Sequence, residues 1–347
     1  VLAALAAGVV STVACGSFDA TTPDALAEAG LPEGAATDAS LDGGEATDAA
    51  PDAALGDGAQ APLAVAQESS KTQYVATDAK YIYWWSTSQS AILRADKDHL
   101  TAIDTVAARS GEALNALAVD GSGVYWLEAG PDPVQYGSRI MQLERPFSAG
   151  NVPTVLFRTP DPLSRLALDS TRALSTFSSG VVGATKTGTP INFGLGIDGR
   201  SLTSDDTNAF YSFAYAYVFR VGASGNSTRV ISVPAPRELI VEGSALYGVM
   251  DVDAGSAIFK TDKTESDALV AAAVQLVQLP ASTVFLAIDN LGLVWGNASD
   301  GSIHRVGRSG GTPTDVASAI VGMNAIAADE RGVYWSTDTG AVGWATR

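Results

Sequence analysis

Residues 330–347 read ERGVYWSTDTGAVGWATR, and the reading of this stretch decides the fold. It consists of an aromatic run (GVYW), a short polar loop and an alternating run. The same order recurs upstream, where each copy is followed by one more alternating segment. After the last copy nothing follows. A sheet left with that edge open would present a row of unpaired backbone groups to any other chain, so its partner is to be sought elsewhere in the sequence.

Aligning the copies on the acidic residue that ends a short apolar run gives VATDAKYIYWW, LAVDGSGVYWL, LALDSTRALST, LTSDDTNAFYS, LIVEGSALYGV, LAIDNLGLVWG and IAADERGVYWS. The anchors are Asp78, Asp120, Asp169, Asp205, Glu242, Asp289 and Asp329, spaced 36 to 49 residues apart. That is the period of a four-stranded propeller blade and exceeds that of ankyrin, tetratricopeptide or leucine-rich repeats. Runs of β-branched and aromatic residues punctuated by Gly, Asn, Asp and Pro agree with an all-β chain. DALVAAAVQLVQL, residues 267–279, is the one piece whose alanines would tolerate a helix.

Each unit divides into strands A to D. Strand A ends at the acid, and after three turn residues strand B carries an aromatic pair, as in Tyr83-Trp84, Tyr125-Trp126 and Tyr334-Trp335. Strand C alternates (SAILRAD, SAIFKTD) and strand D follows (PTVLFR, TRVISVP). The carboxylate at the end of strand A is expected to accept turn amides in an Asx-type arrangement, a structural role. PLAVAQES, residues 62–69, precedes the first unit and matches TPTDVASA of the sixth as a strand D. It is expected to complete the seventh blade and close the ring. Seven four-stranded blades result. The third unit lacks the aromatic pair, so a six-bladed ring with an insertion is the alternative.

SGGTPTDVAS followed by IAADERGVYWSTDTGAV resembles the repeat of bacterial β-propeller lipoproteins of the VYW type, and more distantly that of YWTD and NHL propellers. The resemblance spans residues 63–347, is good for blades one, two, six and seven, and is weak for blade three. It implies the fold and leaves the function open, because propellers carry enzymes, receptors and scaffolds alike.

Ahead of the repeats lie two segments of another kind. Residues 1–10 are apolar and no charge occurs before Ser17, which suits the h-region of a secretory signal and is too short for a bilayer span of about 20 residues. With no initiator Met and no basic n-region, this stretch is expected to be the remainder of a longer leader. The chain's single cysteine, Cys15, follows TVA and resembles the lipobox cysteine that is diacylated to become a mature N-terminus. Ala14 and Gly16 fit that pattern, and Thr12 departs from its usual Leu. The competing reading is an ordinary signal cleaved after Ala14. Residues 16–62 contain ten carboxylates and no basic residue, with almost no large apolar side chains. Such a segment is expected to be a disordered tether. The domains are therefore 1–15, 16–62 and 63–347.

The whole chain has a net charge of -17, which argues against nucleic-acid partners and electrostatic docking on anionic lipid. The membrane is expected to be reached through the N-terminal lipid alone, on the periplasmic or outer surface of a bacterial envelope membrane. Only two histidines occur, His99 and His304, so neither a multi-histidine metal cage nor any other cofactor site is expected. The similarity to NHL lyases and virginiamycin B lyase, whose central sites contain histidine, accordingly ends at the fold. His304 reads as a packed strand residue. Asp251 and Asp253 have calcium-like spacing without the other oxygen ligands, and read as a solvated loop. STDTGAVGW resembles a sialidase Asp-box with its tryptophan misplaced. No nucleophile elbow or phosphate loop is present.

Two functions are consistent with these residues. One is a monomeric binding or scaffolding module for a protein or glycan; the other is a hydrolase or lyase using carboxylates near the central channel. The A–B turns scarcely vary, whereas the B–C loops do: STDTGA in blade seven, VMDVDAGSA in blade five, LEAGPDPVQYGS in blade two. Variation among copies on one scaffold builds a distinctive surface. The expected binding face therefore includes Glu128, Asp132, Gln135 and Tyr136 of blade two, with Trp85 of blade one beside them.

Overall fold

The structure is a computed structural model that describes residues 63–109, 114–129, 137–148, 150–178, 180–193, 199–213, 216–253, 255–266, 273–279 and 284–346. Cys15 and the segment 16–62 lie outside the described residues. The described residues form seven four-stranded antiparallel sheets. The innermost strands are Thr72–Thr77, Leu114–Val119, Arg165–Leu168, Gly199–Ser204, Arg237–Glu242, Val284–Ile288 and Met323–Ala328. Each packs against the inner strand before and after it, and the first meets the last. The fold is a seven-bladed β-propeller.

Blade three is a complete blade, which removes the six-bladed alternative. Its strand B, Arg172–Phe177, has Leu174 and Ser175 where blades one, two and seven have Tyr and Trp, and both are buried. The ambiguous segment 267–279 contributes Val274–Leu279 as strand D of blade five, paired with Gly255–Asp262.

The ring closes through the N-terminal strand. Leu63–Gln67 pairs antiparallel with Ala341–Thr346, with Leu63 opposite Trp344 and Gln67 opposite Ala341. The Glu68 amide donates to the Gly340 carbonyl at 2.9 Å. Gly340 has φ +89°, and a Cβ there would come within 2.5 Å of the Glu68 carbonyl oxygen, so the closing contact requires glycine on two counts. The sheet order thus places the first strand of the ring outside its last three.

Seven apolar clusters fill the seven spaces between blades. This explains why strand B is a continuous apolar run where an antiparallel strand with one wet face would alternate. Both faces of a blade are covered, so consecutive residues enter different clusters. Tyr83 belongs to the cluster between blades one and two and Trp84 to that between seven and one. Tyr334 and Trp335 divide in the same way between the seven–one and six–seven spaces.

Candidate functional site

Inner strands run from the face that carries the D–A connections and B–C loops to the face that carries the A–B and C–D turns. The two faces have different chemistry.

On the turn face the anchors are fully engaged. The Asp78 carboxylate accepts the amides of Lys80 at 2.8 Å and Tyr81 at 2.7 Å. Asp120, Asp169, Asp205, Asp289 and Asp329 accept the corresponding two amides of their own turns. Glu242, with a longer side chain and Gly243 at φ +55° behind it, instead takes both its contacts from Arg308.

The same carboxylates also join neighbouring blades. A basic residue just past strand C of one blade reaches the anchor of the blade before it. The pairs are Lys97 with Asp329, Arg145 with Asp78, Lys186 with Asp120, Lys263 with Asp205 at 2.7 Å, and Arg308 with Glu242 at 2.5 Å. Asp169 and Asp289 are held by arginines of their own blades, Arg172 at 2.6 Å and Arg305 at 2.7 Å. Burial opposes ionisation of Asp78, but the amides of Tyr81 and Lys80, the Tyr83 hydroxyl and Arg145 outweigh it and hold the carboxyl below its ordinary value. Burial together with the Asp78 charge pushes the Tyr83 phenol up. The sequence pattern indicates the capping role of these acids; the recurrent Lys or Arg after strand C is visible there too, but which acid each one meets is set by the ring.

On the loop face the polar groups differ from blade to blade. Glu68 accepts from the hydroxyls of Ser86 at 3.0 Å and Ser88 at 2.9 Å. Asn324 donates to the Thr72 carbonyl at 2.7 Å and to Asp338, which also pairs with Lys71 at 2.7 Å. Arg237 bridges Asp251 and the Ser256 hydroxyl at 2.6 Å.

Two residues expected on an exposed binding face are buried. Trp85, 4 % exposed, belongs to the core between blades one and two. Glu128, 2 % exposed, sits in strand B, Gly123–Ala129, where it bridges Arg109 and Arg139 at 2.8 Å each and accepts the Trp126 indole N–H at 3.0 Å. Strand B runs further than its aromatic pair indicates, and that draws Glu128 out of the loop. Blade five shows the same extension: its hairpin pairs as far as Val252 with Gly255, so most of VMDVDAGSA is strand. Asp132, Gln135 and Tyr136 lie outside the described residues.

Of the remaining candidates, Asp251 is held by a guanidinium, an arrangement that disfavours a divalent cation. His304 is fixed in strand C between the Ser302 hydroxyl and Asp315, each at 2.7 Å, and lies 5.3 Å from the Trp295 ring. His99 begins strand D of blade one and is exposed. A rim cavity of about 410 Å³ lies between that strand and Phe147, Ser148, Gly150, Asn151 and Pro153, with Arg94 also in its wall.

No family model matches this chain, and no curated protein matches it in sequence. Solved structures do match in fold. A streptogramin B lyase superposes with a TM-score of 0.63 at 13% identity, covering 82% of this chain and 95% of the lyase. The WD40 propeller domain of Doa1 gives 0.61 at 11%, covering 82% and 97%. BamB from Moraxella catarrhalis gives 0.51 at 13%, covering 79% and 82%. At these identities the likeness extends to the propeller fold and no further.

Proposed function

We propose that this chain is an extracytoplasmic binding module, anchored in a bacterial envelope membrane through lipid on Cys15 and held away from it by the acidic segment 16–62. Its partner, a protein or glycan, is recognised by the face of D–A connections and B–C loops. The observation that carries this reading is the asymmetry between the two faces. The turn face consumes its seven anchor carboxylates in one recurring scheme, six of them accepting their own turn amides and five of them paired with a basic residue of the next blade. Among the described residues the loop face carries different polar arrangements in blades one, five and seven, which is how a repeat scaffold acquires an individual surface. The shared fold with BamB and a WD40 domain is compatible with such a role. A glycosidase-like alternative requires two carboxylates within about 10 Å of each other. Among the described inner-strand residues above the anchors, Glu238 is the one carboxylate.

The test is photo-crosslinking in intact cells. A photoreactive amino acid is placed at Gln89 or Asp338 on the loop face, or at Lys80 or Glu330 on the turn face, all four exposed. Discrete adducts from the first pair alone are expected. Equal adducts from both faces, or none from the loop face, would remove the assignment.

A further inference from the structure

The rim cavity beside strand D of blade one contains a cation that departs from its place in the repeat. The strand C residue opposite the fifth position after each anchor is Arg94, Gln142, Gly183, Arg220, Lys260, Arg305 and Trp344 in blades one to seven. Four of these are basic, and three of the four serve the scaffold. Arg220 donates to the Lys263 carbonyl of the next blade at 3.1 Å, Lys260 to the Arg308 carbonyl of the next blade at 3.5 Å, and Arg305 to the Asp289 carboxylate at 2.7 Å. Arg94 bonds neither a turn carbonyl nor an anchor. Its hydrogen bonds go to a single oxygen of Asp104 on strand D, from Nε at 3.4 Å and from Nη2 at 3.2 Å, and its side chain lines the cavity.

Aromatic rings fix this guanidinium in place. Its carbon lies 4.3 Å from the centre of the Tyr81 ring and 5.3 Å from that of Phe147, which belongs to blade two. Such contacts orient a guanidinium without using its N–H groups. The two bonds to Asp104 are long, and the donors of the remaining terminal nitrogen, Nη1, meet no acceptor among the described residues. Asp104 commits one oxygen to Arg94, and its side chain is 62 % exposed, so the second oxygen is open at the cavity mouth. The facing wall is set before any ligand arrives: the Asn151 side-chain amide donates to the Pro146 carbonyl at 2.7 Å, and the Ser148 hydroxyl to the Asn151 side-chain oxygen at 2.7 Å. Val106, Ala107 and Pro153 add an apolar surface to the lining.

We propose that this cavity binds one residue of a neutral saccharide, with Arg94 and Asp104 as its recognition pair. A donor and an acceptor stand side by side, and their charges cancel. An anion entering here meets Asp104, and a cation meets Arg94. Neighbouring ring hydroxyls suit both, because each hydroxyl accepts and donates: one takes an N–H of Arg94 while the next gives its O–H to Asp104. The C–H surface of the sugar ring then faces the apolar part of the lining. At about 410 Å³ the cavity falls within the size range of small-ligand sites.

Saturation-transfer NMR on the full chain tests the site with the methyl glycosides of glucose, galactose and mannose. Cyclohexanol serves as a ring without neighbouring hydroxyls and sodium acetate as an anion. At least one glycoside is expected to bind in the millimolar range, and neither control to displace it. Asp104→Ala and Arg94→Met should each weaken binding by about tenfold or more. Glu330→Gln, on the turn face of blade seven, should leave it unchanged. Thermal melts show whether each variant is folded; if Arg94→Met is not, Asp104→Ala, at an exposed side chain, decides alone. Glycoside signals no stronger than that of cyclohexanol, acetate binding in their place, or binding unaltered by Asp104→Ala would each overturn the proposal. The site is separate from the loop face. Crosslinked partners there with no glycoside binding would overturn the cavity site and leave the loop-face assignment standing, and glycoside binding without crosslinks would do the reverse.

Discussion

Lys97, in the C–D turn of blade one, is ion-paired with Asp329, the anchor of blade seven, across the seam where the ring closes. Lys97 also donates to the Asp78 carbonyl of its own blade and lies over the Tyr334 ring at 5.2 Å. The seam is therefore held twice, by strand pairing at the outer edge and by charge on the turn face. The Lys97 side chain is 2 % exposed and that of Asp329 17 %. Burial pushes the ammonium down and the Asp329 charge opposes it.

The two halves of that pair should respond unequally to mutation. Asp329→Asn strands a buried ammonium, and removing one partner of a buried pair costs about 3–5 kcal/mol. Lys97→Met removes the charge that was costly to bury, while Asp329 keeps the Thr77 hydroxyl at 2.7 Å and its turn amides; a loss of about 1 kcal/mol is expected. Urea unfolding of both single variants and the double variant gives the order and the coupling. Equal losses would mean that the pair is not desolvated.

Strand closure makes a separate demand. Deleting residues 63–69 opens the outer edge of blade seven and takes Val65 and Ala66, both buried, out of the core between blades seven and one. It should lower Tm by about 10 °C or more, whereas deleting seven residues of the acidic segment should change it little. Gly340→Ala, at the closing contact, should fall between them. Coincident melts of the two deletions would show that the ring does not depend on its N-terminal strand.

Acid should attack the turn face first. Asp78 and Asp205 are partly buried, which opposes their ionisation, yet turn amides and the basic residue of the next blade hold both below their ordinary value. A carboxyl depressed by folding contributes stability above its unfolded pKa of about 3.9, and that contribution is lost as the pH falls through the folded value. Tm should therefore drop steeply below about pH 4. Asp78→Asn should start lower at neutral pH and fall less steeply; parallel curves for variant and parent would assign acid lability elsewhere.

Cys15→Ala tests the anchor. In cells producing the full-length precursor, the variant should move from the membrane pellet to the soluble exported fraction, because an acidic segment has no affinity for anionic lipid. Unchanged partition would refute lipid attachment at this residue.

How far the sequence reaches is clear from particular residues. The spacing of Asp78, Asp120 and their counterparts specified an all-β ring by itself, because an acid that caps its own turn needs only the three residues after it, and such local demands recur visibly in each copy. The surplus strand at 62–69 was legible for a related reason, since one unpaired edge and one unassigned strand must meet. Burial of Glu128 and Trp85 was not legible, because it depends on how far strand B runs before the chain turns and on what the adjacent blade brings against it. The pairing of Lys97 with Asp329 lay further out of reach. The two are 232 residues apart, and nothing local to either distinguishes the partner from six similar acids. Closure of the ring decides it, by bringing the last anchor beside the first C–D turn at a depth where water is excluded.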